Sequence, residues 1–257
     1  MIMDYSRSFT TCFSKIFTAF ILVSLPLALL PQTSFGSYPY AHCYTNTENF
    51  TTNSNYETYL RILNLKLIAK SSSSGFGVTT AGHYKNQKTY GLFLCRGDVS
   101  ATECKTCVSD ASIEISNRCP YNKGAVMWYN YCMLKYLDTE FFGEVDNTAF
   151  VYVWKRNSVS DPDAFNLKTR RFLGLLAEKT YADNNPKLYA AGEQRLENST
   201  TLYGFTQCTR DLSSRDCKAC LNDALDRLLD CCDGRPGGRV LGGSCNFRYE
   251  IFPFLDD

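Results

Sequence analysis

Five cysteines recur in this chain at a fixed offset. Cys95, Cys104, Cys107, Cys119 and Cys132 reappear 113 residues later as Cys208, Cys217, Cys220, Cys232 and Cys245. The segment CRGDVSATECKTC is answered by CTRDLSSRDCKAC, with no insertion or deletion between the copies. A period this long is a duplicated domain and not a solenoid of small repeats. Each copy has roughly 110 residues, enough to bury a core of its own, so cross-links would supplement packing and not replace it.

Residues 1–36 read as a secretory signal peptide. Arg7 and Lys15 form a basic start, Ile16 to Leu30 is an apolar run of 15 residues, and Ser34 and Gly36 follow at signal-peptidase spacing. The run is shorter than the roughly 20 apolar residues of a membrane span. Removing it takes Cys12 away and leaves 12 of the 13 cysteines in a chain beginning near Ser37. The sequence therefore predicts a secreted, extracellular protein with no membrane anchor. Asn49 and Asn198 each open an Asn-x-Ser/Thr glycosylation sequon. The leader carries two basic residues and one acidic residue, which leaves 25 of each sign. Nucleic acid is not an expected partner, because phosphate binding needs clustered Lys and Arg.

The hydrophobic pattern predicts the same order of elements twice. Tyr56 to Ala69 is a helix with Leu60, Leu63 and Leu67 on one face, ended by the Ser71–Gly75 run. Tyr90 to Cys95 reads as strand, Glu103 to Ser116 as a second helix, and Ala125 to Leu137 as strand. The stretch TAFVYVW reads as a strand before a break at Ser160-Asp161-Pro162. Thr169 to Tyr181, Arg215 to Leu229 and Arg239 to Phe254 repeat helix, helix and strands. This predicts an α+β fold, each copy an antiparallel sheet packed with two helices and stabilised by disulfides. The expected domains are 37–150 and 151–257.

Paired Cys-x2-Cys segments have three readings: zinc ligands, a redox pair or structural disulfides. Export favours disulfides. The two histidines, His42 and His83, lie in different contexts of the first copy and support neither a catalytic triad nor a metal cluster. No metal and no cofactor is expected. Among the carboxylates, Glu140, Glu144, Asp216 and Glu250 show no spacing that selects a hydrolytic pair.

The Cys-x8-Cys-x2-Cys spacing, present twice, and the terminal segment CCDGRPGGRVLGGSCNFRYEIFPF resemble the plant cysteine-rich repeat secretory proteins, built from tandem stress-antifungal or ginkbilobin-like domains. The resemblance spans nearly all of the chain after the leader. It implies bridges Cys43–Cys119, Cys95–Cys104 and Cys107–Cys132 in the first copy, and Cys208–Cys217 and Cys220–Cys245 in the second. Arg156 stands where the second copy would need a counterpart of Cys43. Cys232 is then left beside Cys231, and a vicinal bridge, free thiols and an intermolecular bond all stay open.

The resemblance also implies a mannose site made of Asn, Arg and Glu. In the first copy those positions hold Tyr44, Val126 and Leu137, and none matches. In the second, Arg239 and Glu250 match and the Asn position cannot be located. The pair reads either as sugar contacts or as a salt bridge between neighbouring strands. Three functions follow. The first is a non-enzymatic apoplastic protein that binds a mannose-type glycan in plant defence or stress. The second is a module docking on another extracellular protein. The third is an extracellular redox or hydrolytic enzyme.

Overall fold

The computed structural model describes residues 39–83, 87–196 and 200–256. The leader with Cys12 and the sequon residue Asn198 lie outside the described residues. Asn49 is exposed.

The first lobe contains β1 (Tyr40–Cys43), α1 (Asn55–Ser74), β2 (Phe76–Ala81), β3 (Thr89–Cys95), α2 (Ala101–Arg118), β4 (Ala125–Trp128) and β5 (Cys132–Leu137). The second contains β6 (Phe150–Trp154), α3 (Pro162–Thr180), β7 (Tyr189–Arg195), β8 (Thr201–Cys208), α4 (Ser214–Asp226), the short α5 (Leu228–Cys232), β9 (Gly237–Gly242) and β10 (Cys245–Glu250). Each lobe forms one five-stranded antiparallel sheet, ordered β1-β4-β5-β3-β2 and β6-β9-β10-β8-β7. The two orders are the same topology, as the repeat requires.

Strand alternation sorts each sheet into two faces. Phe93, Cys95, Met127, Leu134 and Tyr136 meet Leu60, Leu63 and Leu67 of α1 and Val108, Ala111 and Ile115 of α2. In the second lobe Leu202, Val240, Phe247 and Tyr249 meet Phe172, Leu173 and Leu176 of α3 and Leu221 and Ala224 of α4. A glycine allows the first helix of each lobe to lie close on its sheet. A Cβ at Gly91 would stand 2.7 Å from Leu63, and one at Gly204 2.8 Å from Phe172.

The opposite faces of the two sheets meet in a seam. Leu92, Leu94, Val126, Trp128 and Met133 of the first sheet cluster with Leu241, Val151 and Val153 of the second. Trp128 Nε1 donates to the Gly242 carbonyl at 3.1 Å, and Gln207 Nε2 to the Cys95 carbonyl at 2.9 Å. The two copies thus share a third core, besides the one each builds under its own helices.

Several boundaries differ from the sequence reading. The Ser71–Gly75 run does not break α1, which continues to Ser74. Ser71 and Ser73 donate to the carbonyls of Ile68 and Lys70, which keeps those hydroxyls satisfied inside a helix. Ala125–Leu137 is two strands, because Tyr129 N bonds the Cys132 carbonyl and closes a hairpin. The Ser160-Asp161-Pro162 break is the start of α3. Asp161 accepts from Ala164 N as N-cap, and Pro162 occupies the first turn, where its missing N–H costs nothing.

Six disulfides join described residues: Cys43–Cys119, Cys95–Cys104, Cys107–Cys132, Cys208–Cys217, Cys220–Cys245 and the vicinal Cys231–Cys232. Where the second lobe lacks the first lobe's long bridge, hydrogen bonds tie the same segments. Arg235 Nη1 donates to the Arg156 carbonyl at 2.7 Å and to Ser158 Oγ at 3.1 Å, and Val159 N bonds the Gly234 carbonyl.

Candidate functional site

Strand β10 reads CNFRYE, and its period of two carries the chemistry. Cys245, Phe247 and Tyr249 enter the helix-side core. Asn246, Arg248 and Glu250 therefore project to the seam, all at most 8 % exposed. Arg239 on β9 is paired in register with Arg248. The seam face of the second sheet is thus polar and charged where the first sheet opposes it with Trp128, Met133 and Leu94.

The two matched positions, Arg239 and Glu250, lie on this face but do not pair with each other. Glu250 Oε1 accepts from Arg248 twice, from Nε at 3.1 Å and Nη2 at 3.0 Å. Its Oε2 is buried without a hydrogen-bond partner among the described residues. That oxygen occupies the space over Gly237, where a Cβ would overlap it. Arg239 Nη1 instead crosses to the first lobe and donates to Asn130 Oδ1 at 2.7 Å. The first-copy counterparts are apolar seam residues: Tyr44 and Val126 are buried in the shared core, with Leu137 packed against it.

Arg239, Arg248, Arg96, Asn130, Asn246 and Gln207 all line one cavity of about 30 Å³ between the lobes. The β4–β5 turn forms part of its wall, and Tyr131 there is 36 % exposed. Burial lowers the Arg248 guanidinium to about 10, with neighbouring Arg239 adding to the shift against the opposing pull of Glu250. Burial lowers Arg239 as well, offset in part by Glu250. Both remain charged at neutral pH. Arg96 is held differently: Asp98 meets its Nε at 2.5 Å and Asp256 its Nη2 at 2.6 Å. Phe254 stacks 3.9 Å from the Arg248 guanidinium, so the segment after β10 covers one side of the cluster.

A second polar group stands at the junction of the lobes. Lys135, 1 % exposed, pairs with Asp146 at 2.6 Å, and the Tyr44 hydroxyl donates to the same carboxylate. Burial pushes Asp146 up, but Lys135 together with the Tyr44 and Thr148 hydrogen bonds outweighs it and holds the carboxyl well below its ordinary range. This network orders the interlobe segment.

Sequence reasoning picked out Arg239 and Glu250 and passed over Arg248, Asn246, Asn130, Gln207 and Arg96. The signal for two of them was present: polar residues at every second position of a strand otherwise full of core residues. Asn130 and Arg96 had none, since a residue on another copy becomes part of the site only through the seam.

Comparisons with known proteins agree with this architecture. The family model described as salt stress response/antifungal matches residues 42–139 and again 154–251. An antimicrobial ginkbilobin-2-like protein of Castanea crenata is 48 % identical over 239 residues, 93 % of this chain and 96 % of that protein. Cysteine-rich repeat secretory protein 38 of Arabidopsis thaliana is 43 % identical over 227 residues, covering 88 % and 89 % of the two chains. Among solved structures, the tandem DUF26 ectodomain of the Arabidopsis thaliana cysteine-rich receptor-like protein PDLP8 superposes with a TM-score of 0.71 at 25 % identity, over 83 % of this chain and 98 % of that one. No helix of the described residues is long and apolar enough to cross a membrane.

Proposed function

Because this chain belongs to the salt stress response/antifungal family of secreted cysteine-rich proteins, we propose that it is a non-enzymatic binding protein of the plant apoplast that recognises a glycan at the seam between its lobes. The observation carrying this reading is the convergence of Arg239, Asn130, Asn246 and Gln207 on one interlobe cavity. Amides and a guanidinium supply the fixed donors and acceptors that sugar hydroxyls need. Glu250 plays another part than direct sugar contact: it anchors Arg248, and Arg248 shares the cavity wall with Arg239. Antimicrobial action, named for the Castanea relative, fits recognition of a microbial or wall saccharide. A glycan-array screen of the secreted, glycosylated protein tests the reading. Retention of defined saccharides, lost on Asn130→Ala or Arg239→Gln with secretion intact, is the expected result.

A second reading, docking on another extracellular protein, draws on α3, where Leu167 and Leu175 are 72 % and 49 % exposed two turns apart. An array without retained glycans, together with binding to an ectodomain that Leu167→Glu abolishes, would put docking first.

A further inference from the structure

We propose that the seam cavity takes the carboxylate of an acidic sugar, a uronic acid residue. The proposal rests on the glycan reading above and narrows it to a charge class.

The cavity wall holds more hydrogen-bond donors than the chain uses. Arg239 spends only Nη1, on a neutral amide, and no carboxylate lies within ion-pairing distance of it among the described residues. Arg248 commits Nε and Nη2 to Glu250 and has Nη1 left over. Asn246 is 8 % exposed, lines the cavity and makes no side-chain hydrogen bond within the described residues. Its amide is therefore free to meet a group that enters the cavity from outside.

Charge decides which group. The carboxylates near the cluster already face other guanidiniums: Asp98 and Asp256 meet Arg96, and Glu250 meets Arg248 through Oε1. Arg239 is the guanidinium left with a neutral partner, and it lies close enough to Arg248 to depress that group. Glu250 acts on both guanidiniums, but the one hydrogen-bonding partner of Arg239 among the described residues is neutral, which leaves its other N–H groups open to an anion. A neutral hexose offers hydroxyls alone, whereas a carboxylate offers two oxygens matched to a guanidinium fork.

Size points the same way. A water needs roughly 10–15 Å³ of such space, so about 30 Å³ accommodates a carboxylate and not a pyranose ring. The ring would remain at the mouth, beside Tyr131, which is 36 % exposed. The site therefore reads the acid group of a sugar whose ring stays largely outside.

Calorimetry or ligand-observed NMR on the full secreted protein tests this with four probes: trigalacturonic acid, its methyl ester, a neutral mannoside and inorganic sulfate. The acid should bind, and the ester, which keeps the hydroxyls and loses the charge, should bind at least tenfold more weakly. Arg239→Gln should reduce affinity for the acid roughly ten- to a hundredfold with the near-UV circular dichroism unchanged. Should that variant fail to secrete, Asn246→Leu removes the open amide without altering charge and should also weaken the acid. Equal binding of acid and ester, or a mannoside that binds while the acid does not, overturns the charge assignment and leaves the glycan reading standing. Sulfate binding as well as the acid overturns the sugar. Undiminished binding of the acid in either folded variant overturns the site. Failure of every saccharide at millimolar concentration overturns this proposal and the glycan reading together.

Discussion

Lys135 on the seam face of the first sheet pairs at 2.6 Å with Asp146, the residue that leads the chain toward the second lobe. Both side chains are at most 9 % exposed, so removing one partner strands the other in the interior. Asp146→Asn should cost about 3–5 kcal/mol, read as a lowered urea midpoint. Adding Lys135→Met to that variant should recover part of the loss, because it takes away the stranded ammonium. An unmoved midpoint in the single variant would show that the pair holds nothing together.

The same carboxylate sets an acid limit. Asp146 has a folded-state value below its unfolded one, so its stabilisation is complete above about pH 4, the ordinary range of an unfolded Asp. It is lost as the pH falls from there through the depressed folded value. Urea stability measured from pH 5 to pH 2 should fall more steeply for the wild type than for Asp146→Asn. Parallel slopes would contradict the assignment.

Gly237 leaves room for Glu250. Gly237→Ala should cost about 1–3 kcal/mol by overpacking, since its Cβ would overlap the buried Oε2. Gly174, within α3, meets nothing within 4 Å. Gly174→Ala should therefore stabilise by roughly 0.5–1 kcal/mol, the helix preference of Ala over Gly. Thermal melts of the two variants should move in opposite directions.

The disulfides should differ sharply in worth. Cys43–Cys119 spans 76 residues and Cys231–Cys232 spans one. Closing the long loop restricts the unfolded chain by about 4.5 kcal/mol on the chain-entropy model, while a bond between neighbours closes almost nothing. Cys43→Ala with Cys119→Ala should lower the melting temperature far more than Cys231→Ser with Cys232→Ser. Comparable losses would mean that the vicinal pair acts through packing, since Cys232 is 1 % exposed.

Much of the architecture was legible because the repeat declares itself in cysteines, and α1 in Leu60, Leu63 and Leu67. The outer strands β1, β2 and β7 were not. Segments such as FGVTTA and YAAGEQR are half-exposed and lack the apolar run that marks an inner strand. The start of α3 was missed because Asp-Pro signals both a turn and a capped helix. For the site, Arg239 and Glu250 stood out through family resemblance, but their partners did not. Whether Glu250 meets Arg239 or Arg248 depends on which residues share a strand face, and that register is fixed only once β9 and β10 are aligned.

The shared seam gives the duplication a direction. Two identical copies could each have kept a wet outer sheet face. Here one copy offers Leu92, Leu94, Val126, Trp128 and Met133, and the other sets Arg239, Asn246, Arg248 and Glu250 beside Leu241, Val151 and Val153. The ancestral symmetry has resolved into a mould and its cast. If the halves were parted, the first would bare that apolar face to water, and the second would keep Arg248 on Glu250 while Arg239 lost Asn130. Gene conversion that made the copies alike again would erase the cavity between them.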